Sequence, residues 1–444
     1  MKLRLTPTRL IALGFLLTIL VGALLLLLPI SSKLPSVSFT EALFTATSAT
    51  CVTGLTRFDT WSQFNGFGQV VVICLIQIGG LGFMMVASLV SLLAGRRIGL
   101  YERSLLMESI GALNVGGIIR LCRRALIGTA IFEGIGAALL SLWFCPRFGM
   151  GQGLWMSVFH SVSAFCNAGF DLMGIRAPGT SLMLAADSVL VNIVVMLLVL
   201  IGGLGFFVWE EVVRLHSWKK FSVYTKLVLL SSLVLLVGGA ALIALLEWNN
   251  PGTLGTMSTP QKIMNAFFQS VTVRTAGFVS IDQALLTDAG KGVSMVLMLI
   301  GGSSGSTAGG VKTVTMVVLV LFLWARARGR STVTVFKRTI PGDKALDAMT
   351  IVGLVTGLAV LGAVFVSATS PIGFTDSLYE CISAIATVGL TSGVTGLLSL
   401  PAQLLITVFM YFGRVGILTI SLGFLMGDRA EERFRYAQTN LLIG

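Results

Sequence analysis

Four glycines, Gly54, Gly169, Gly277 and Gly389, close four 16-residue segments that align without gaps. The segments read FTEALFTATSATCVTG (39–54), LWMSVFHSVSAFCNAG (154–169), KIMNAFFQSVTVRTAG (262–277) and FTDSLYECISAIATVG (374–389). An aromatic residue stands ten positions before each glycine, at Phe44, Phe159, Phe267 and Tyr379, and Leu55, Phe170, Phe278 or Leu390 follows it. Glycine reaches positive φ at little cost, so a strand that carries it can turn successive carbonyls to one side. One such glycine from each of four loops would build a ring of carbonyl oxygens able to replace an ion's water shell. From five residues before to one residue after each glycine there is no Asp or Glu. An uncharged oxygen ring suits a monovalent cation, whereas Ca²⁺ and Mg²⁺ draw on carboxylates. The candidate ion-binding stretches are Cys51, Val52, Thr53 and Gly54; Cys166, Asn167, Ala168 and Gly169; Arg274, Thr275, Ala276 and Gly277; and Ala386, Thr387, Val388 and Gly389. Four ordinary helix C-caps would not explain so regular a pattern, spaced by 115, 108 and 112 residues.

Each segment reads as a helix of about ten residues ended by a glycine turn, too short to span a bilayer. Non-helical backbone at membrane depth is tolerated where it lines a cavity or is buried in protein, which makes these re-entrant pore helices. A second glycine motif follows each loop: QIGGLGF (77–83), LIGGLGF (200–206), LIGGSSG (299–305) and YFGRVGI (411–417). Its third residue is Gly79, Gly202, Gly301 or Gly413, lying 25, 33, 24 or 24 residues after the loop glycine. The expected fold is an all-α integral membrane protein with eight membrane helices, at 8–29, 67–95, 121–144, 187–213, 226–247, 290–324, 346–368 and 402–426. They form four M1–P–M2 repeats (helix, pore loop, helix) with pseudo-fourfold symmetry around a central pore. The repeats are 1–98, 115–218, 222–328 and 344–428, and a cytoplasmic tail follows at 429–444.

Composition supports this. Charged residues are 11% of the chain, far below the level of about 25% in soluble domains. The stretches 10–30, 68–95, 188–209, 227–246 and 348–375 carry no Asp, Glu, Lys or Arg. The first has a basic leader but is too long for a signal-peptide core and lacks a small-residue cleavage site, so it reads as a retained helix. With both termini cytoplasmic, the inner segments hold 22 basic residues and the outer ones 6, a strong positive-inside bias. The net charge of +12 therefore reports topology, and nucleic acid is not implied. Six cysteines show no metal-ligand or disulfide spacing, and only His160 and His216 are present. Zinc chemistry, Ser–His–Asp catalysis and membrane enzymology are poorly supported. A proton-coupled solute transporter is the alternative reading, but such proteins need intramembrane carboxylates or His, and only Glu133 qualifies clearly.

The sixth helix is interrupted by GGSSGSTAGGVK: Gly301, Gly302, Ser303, Ser304, Gly305, Ser306, Thr307, Ala308, Gly309, Gly310, Val311 and Lys312. Val311 falls where a phosphate-binding loop needs Lys, so a nucleotide site is rejected. A polar loop within a membrane helix points to a pore lining. Arg414 lies midway along the last apolar helix, where a charge must face water or protein. Packing against a buried carboxylate is the competing reading, with Glu133 the partner by depth. Lys312 is either a second cavity charge or the loop's cytoplasmic end. Arg274 is expected to brace the filter backbone by donating hydrogen bonds.

ATCVTGL (49–55), FCNAGF (165–170), VTVRTAGF (271–278), ATVGLT (386–391), GGSSGSTAGGVK (301–312) and FGRVGILT (412–419) resemble the Ktr/Trk/HKT superfamily of cation transporters, most nearly its Ktr membrane subunits. The resemblance covers nearly the whole chain. It implies a potassium filter lined by Gly54, Gly169, Gly277 and Gly389, and a gate formed by the 301–312 loop and Arg414. Cys51 stands where a Thr is usual and Cys166 where an Asn is common; both are mild changes if their carbonyls face the ion. The resemblance further implies K⁺ as the transported ion, with or without Na⁺ coupling, and no covalently bound cofactor. It implies a homodimer in a bacterial-type cell membrane and a separate cytosolic nucleotide-binding regulatory subunit of the RCK type. The basic inner face would suit an acidic partner or anionic lipid equally well.

Overall fold

The computed structural model describes residues 7–34, 37–93, 99–110 and 117–416. The chain opens with α1 (Pro7–Leu27), the short α2 (Phe39–Thr50), the single turn α3 (Thr60–Gln63), α4 (Gly66–Leu81), α5 (Phe83–Leu93) and α6 (Leu100–Ile110). It continues with α7 (Ile118–Phe148), α8 (Met150–Phe165), α9 (Val189–Leu204) and α10 (Phe206–Leu215). Then come α11 (Val223–Glu247), α12 (Thr259–Thr272), α13 (Asp288–Leu299) and α14 (Thr313–Ala327). A hairpin of β1 (Val333–Val335) and β2 (Arg338–Ile340) leads to α15 (Gly342–Thr369), α16 (Phe374–Ile385) and α17 (Leu400–Val415). Four of the helices, α1, α7, α11 and α15, are 21 to 31 residues long and apolar enough to cross a membrane. Their outward faces leave Leu17, Val234 and Leu361 more than 60% exposed, as lipid contact requires.

Two of the four short helices, α2 and α12, start at a polar capping pair, whereas α8 and α16 start at Gly149 and Gly373 without a side-chain cap. Ser38 N–H donates to Glu41 Oε2 (3.1 Å) and Glu41 N–H to Ser38 Oγ (3.4 Å), a reciprocal capping box at α2. Ser258 N–H donates to Gln261 Oε1 (3.0 Å) at the start of α12. Each short helix then packs on the long helix before it: α2 on α1, α8 on α7, α12 on α11 and α16 on α15. Each also packs on the second apolar helix of another unit: α2 on α17, α8 on α4, α12 on α9 and α16 on α13. These contacts close on themselves around the molecule.

Two expectations are corrected here. The helices expected to run unbroken over 67–95 and 187–213 are bent pairs. The chain turns by 100° between α4 and α5, at Gly82 (φ +86°), and by 94° between α9 and α10, at Gly205 (φ +90°). Both glycines adopt a φ that costs other residues, and periodicity of apolar residues carries no signal of such a break. The interruption between α13 and α14 falls where the sequence placed it. Helix α17 ends at Gly416 (φ +97°). The remainder of the expected 402–426 helix and the tail at 429–444 lie outside the described residues. Sequence patterning also did not anticipate α6 or the β1–β2 hairpin, whose two-residue turn sets Phe336 and Lys337 at positive φ (+48° and +63°), the geometry a tight hairpin demands.

The second glycine motif earns its place by close approach. A Cβ on Gly79 would fall 1.9 Å from Thr50 O, one on Gly202 2.0 Å from Phe165 O, and one on Gly413 2.2 Å from Ile385 O. Those carbonyls belong to the last residues of α2, α8 and α16. Gly301 differs: its Cβ would meet Gly309 O at 2.3 Å, because the helix is interrupted there. Gly202→Ala is therefore expected to destabilise the fold by about 1–3 kcal/mol, the range for overpacking a tight site. A drop in the unfolding midpoint of the solubilised protein checks this, with exposed Gly134→Ala as the control expected to hold or slightly raise it; nothing lies within 4 Å of a Cβ there.

Candidate cation site

The four glycine stretches follow α2, α8, α12 and α16, directly or, after α12, with Val273 between, and all sixteen of their residues are buried. Each stretch repeats one unusual backbone. The residue two before the glycine is in the left-handed region: Val52 (φ +56°), Asn167 (+60°), Thr275 (+68°) and Thr387 (+52°). The glycines follow at +98°, +71°, +78° and +89°. For β-branched Val and Thr this is a genuine outlier, costing of order 1–3 kcal/mol, and such strain gathers at functional sites. Alternating the sign of φ along an extended strand turns its carbonyls to the same side.

The neighbouring helices hold this strain in place. Ser48 Oγ accepts from Gly54 N–H (3.1 Å), Ser163 Oγ from Phe170 N–H (3.0 Å) and Ser383 Oγ from Gly389 N–H (3.1 Å). The third stretch has Val271 at the matching position; there Thr272 Oγ1 donates instead to Phe278 O (2.6 Å). The glycines converge. A Cβ on Gly54 would come within 2.6 Å of Ala168 O, one on Gly169 within 2.8 Å of Gly277 Cα, and one on Gly277 within 2.8 Å of Val388 O. A Cβ on Gly389 would sit 2.0 Å from Thr53 O and so closes the ring. The hydroxyls of Thr50, Thr53, Thr275 and Thr387 are buried with no protein partner.

Cys166 turns its thiol away from this ring. Its Sγ lies 3.5 Å from Gln77 Oε1 and 3.9 Å from Glu133 Oε1, and Gln77 Nε2 donates to Glu133 Oε2 (3.3 Å). Glu133 is thus engaged on α4 and α8, and the expected alternative pairing with Arg414 does not occur. Arg274 also departs from expectation. Its guanidinium reaches Ser232 on α11, at 3.4 Å to O and 3.3 Å to Oγ, and makes no hydrogen bond to the backbone of the glycine stretches. The reason is direction: Arg274 sits on the outer side of its strand, facing α9 and α11.

The interrupted segment is an ordered loop. Gly301 N–H donates to Val311 O (2.8 Å), and Thr313 Oγ1 to Gly301 O (2.6 Å). The loop is sewn to the bend of α9 and α10: Ser303 N–H to Gly203 O (3.1 Å), Thr307 N–H to Gly202 O (3.2 Å) and Phe206 N–H to Gly305 O (2.9 Å). Tyr224 O–H donates to Ser304 O (2.9 Å), Ser306 Oγ to Ser303 O (2.6 Å) and Thr307 Oγ1 to Phe165 O (3.1 Å). A Cβ on Gly309 would collide with Thr387 Oγ1, and one on Gly310 would lie 2.8 Å from Ala386 O, so the loop lies directly against the fourth stretch. Lys312 Nζ donates to Ala308 O (2.8 Å). Arg414 donates to Thr307 O, to Gly79 O and to Gly80 O (3.1 Å). Gly79 and Gly80 end α4 at its bend, where carbonyls lack intrahelical donors; sequence reasoning missed this because the bend itself was not visible. Arg414, Lys312, Ala308 and Gly80 line one cavity of about 290 Å³.

An apolar helical shell around converging glycine loops with an ordered internal loop defines an ion-translocating membrane protein. The sequence profile of TrkH, cation transport protein, matches residues 15–433, and the chain belongs to this family. It is 41% identical to the potassium/sodium uptake protein NtpJ of Enterococcus hirae, across 99% of this chain and 98% of that one. It is 39% identical to the Ktr system potassium uptake protein B of Bacillus subtilis, across 97% and 96% of the two chains. The fold matches the crystal structure of the potassium transporter TrkH from Vibrio parahaemolyticus with a TM-score of 0.73 at 18% identity, covering 95% of this chain and 86% of that one. The family is one of transporters, not enzymes.

Proposed function

We propose that the chain carries potassium ions into the cell through a filter built from the four glycine stretches. The observation that carries this reading is the fourfold recurrence of positive φ at the glycine and two residues before it. Four strands of this kind stack carbonyls toward one axis, and a weakly hydrated monovalent cation exchanges its water for them. Passing ions and water would also supply the missing partners of the buried Thr50, Thr53, Thr275 and Thr387 hydroxyls. On this reading the repeats are M1–P–M2 units at 1–98, 115–218, 222–328 and 344–428, and the ring of helix contacts is their pseudo-fourfold arrangement. Both termini then face the cytoplasm of a bacterial-type cell, and the 301–312 loop with Arg414 forms the gate. The named uptake relatives support K⁺ as cargo, and NtpJ raises Na⁺ as a second ion. A homodimer with a cytosolic RCK-type subunit completes the proposal.

The test is Rb⁺ tracer uptake into sealed vesicles holding the purified chain, with and without Na⁺. Saturable uptake that K⁺ competes away supports the reading. Uptake that follows an imposed pH gradient and is indifferent to K⁺ refutes it in favour of proton-coupled transport.

Asp171, two residues beyond Gly169 in the loop leading to α9, gives the outer side a pH response. Desolvation raises its carboxyl to about 6, against the hydrogen bond from Met173 N–H, and the nearby Asp59 charge adds to the rise. The group is charged above pH 6 and neutral below it. Its attraction for cations is therefore present at pH 7.5 and lost as external pH falls to 5.5. Uptake at sub-saturating K⁺ should fall about two- to threefold over that interval, roughly 0.5 kcal/mol of a partly screened interaction. Asp171→Asn should start at the lower rate and show no step.

A further inference from the structure

The third glycine stretch differs from the others three residues before its glycine, where Cys51, Cys166 and Ala386 are matched by Arg274. This arginine is 8% exposed, and none of the three ion pairs among the described residues includes it. Its hydrogen bonds to Ser232 are long, at 3.3 and 3.4 Å, and both go to neutral oxygens. Its Nε–H is buried with no partner. Burying an uncompensated charge is costly, so a guanidinium in this position calls for an anion.

A small cavity lies where that anion would sit. It measures about 20 Å³ and is lined by Arg274, Asn167, Ser232, Val199, Leu200 and Leu204 among others. Asn167 is 1% exposed, and its Nδ2 is a second buried donor without a partner. The Nδ2 side of the amide faces Gly203, another residue of the cavity wall, at 3.7 Å from a Cβ built there. Two unpaired donors, one of them cationic, thus border one space. Its volume exceeds the roughly 10–15 Å³ that one water molecule needs, so a single halide, somewhat larger than water, would fill it. A water molecule could accept from both donors and return a hydrogen to Ser232, but it would leave the charge of the guanidinium uncompensated. A monovalent halide has no hydrogens to place and neutralises the guanidinium.

We propose that Arg274 and Asn167 hold a chloride ion in the cavity between α9, α11 and the second and third glycine stretches. The anion cancels a positive charge that would otherwise stand beside a cation path, and it ties two neighbouring units together. The site does not depend on which cation is carried.

Crystals of the full chain grown with bromide in place of chloride test this. An anomalous bromide peak between Arg274 and Asn167 is expected, and it should be lost in Arg274→Gln. Asn167→Asp supplies a carboxylate in place of the ion, so the peak should vanish while the protein stays folded. Exchanging chloride for gluconate, which the cavity cannot admit, should lower the unfolding midpoint of the wild-type chain in detergent and leave Asn167→Asp unmoved. Density without anomalous signal, meaning water alone, overturns the proposal. So does a peak that survives in Asn167→Asp, or a wild-type midpoint indifferent to chloride. If Arg274→Gln fails to fold, Asn167→Asp and the anion exchange still decide.

Discussion

Arg414→Ala is expected to raise the initial rate of Rb⁺ uptake about tenfold per inserted molecule. Two effects combine. The guanidinium ties the internal loop, through Thr307 O, to the bend of α4, through Gly79 O and Gly80 O. It also places a positive charge in the cavity that holds Lys312. At about 10 Å and an effective dielectric of about 20, a unit charge opposes a passing cation by roughly 1.7 kcal/mol, which is about tenfold in rate. The same substitution leaves the end of α4 uncapped, so a lower yield of inserted protein is expected and rates must be normalised to it. Arg414→Lys keeps the charge but loses the fork that reaches three carbonyls, and its rate should fall between the two. Deleting 303–309 should also raise the rate, since it removes the other half of the tie. Unchanged flux in both variants would mean that the loop does not limit passage.

Gly54→Ser is the second large effect: Na⁺ permeability relative to K⁺ should rise by about an order of magnitude. The glycine sits at φ +98°, and a Cβ would lie 2.6 Å from Ala168 O, so the strand must move. Holding an L-residue in such a conformation costs about 1–3 kcal/mol. A shift that relieves it displaces carbonyls of the first and second stretches together. A filter discriminates by how closely its oxygens replace a particular hydration shell, so a loosened ring loses selectivity before it loses conduction. The contacts also rank the four sites. Gly389 has the closest neighbour at 2.0 Å, then Gly54 at 2.6 Å, then Gly169 and Gly277 at 2.8 Å. Serine scanning should follow that order, with Gly389→Ser the most damaging to expression and flux. Reversal potentials in reconstituted bilayers read the selectivity, and an unaltered Na⁺ permeability in Gly54→Ser would remove Gly54 from the ion path.

The roles of two charged residues show where sequence reasoning stopped. Arg414 could be placed at membrane depth from the apolar residues around it, but its partners could not. They are two backbone carbonyls freed by a 100° turn at Gly82 and a third, Thr307 O, in the internal loop, and backbone carbonyls have no side-chain signature. Arg274 could be placed in the third stretch, but the side of the strand it faces depends on the alternating φ of its neighbours. The thiol of Cys166 was equally undetermined until Gln77 and Glu133 were found beside it.

The membrane class, the four short helices, their glycines and the interruption at 301–312 were legible in the order of residues. These rest on local properties: uncharged length, a gapless repeat and polar residues within an apolar run. The tertiary structure alone decided the bends at Gly82 and Gly205, the close approach of Gly79, Gly202 and Gly413 to neighbouring carbonyls, and the convergence of the four loop glycines. The physical reason is the same in each case. A glycine announces that the chain is free to adopt an unusual φ or a close contact, and only the backbone that packs against it determines which of the two is used.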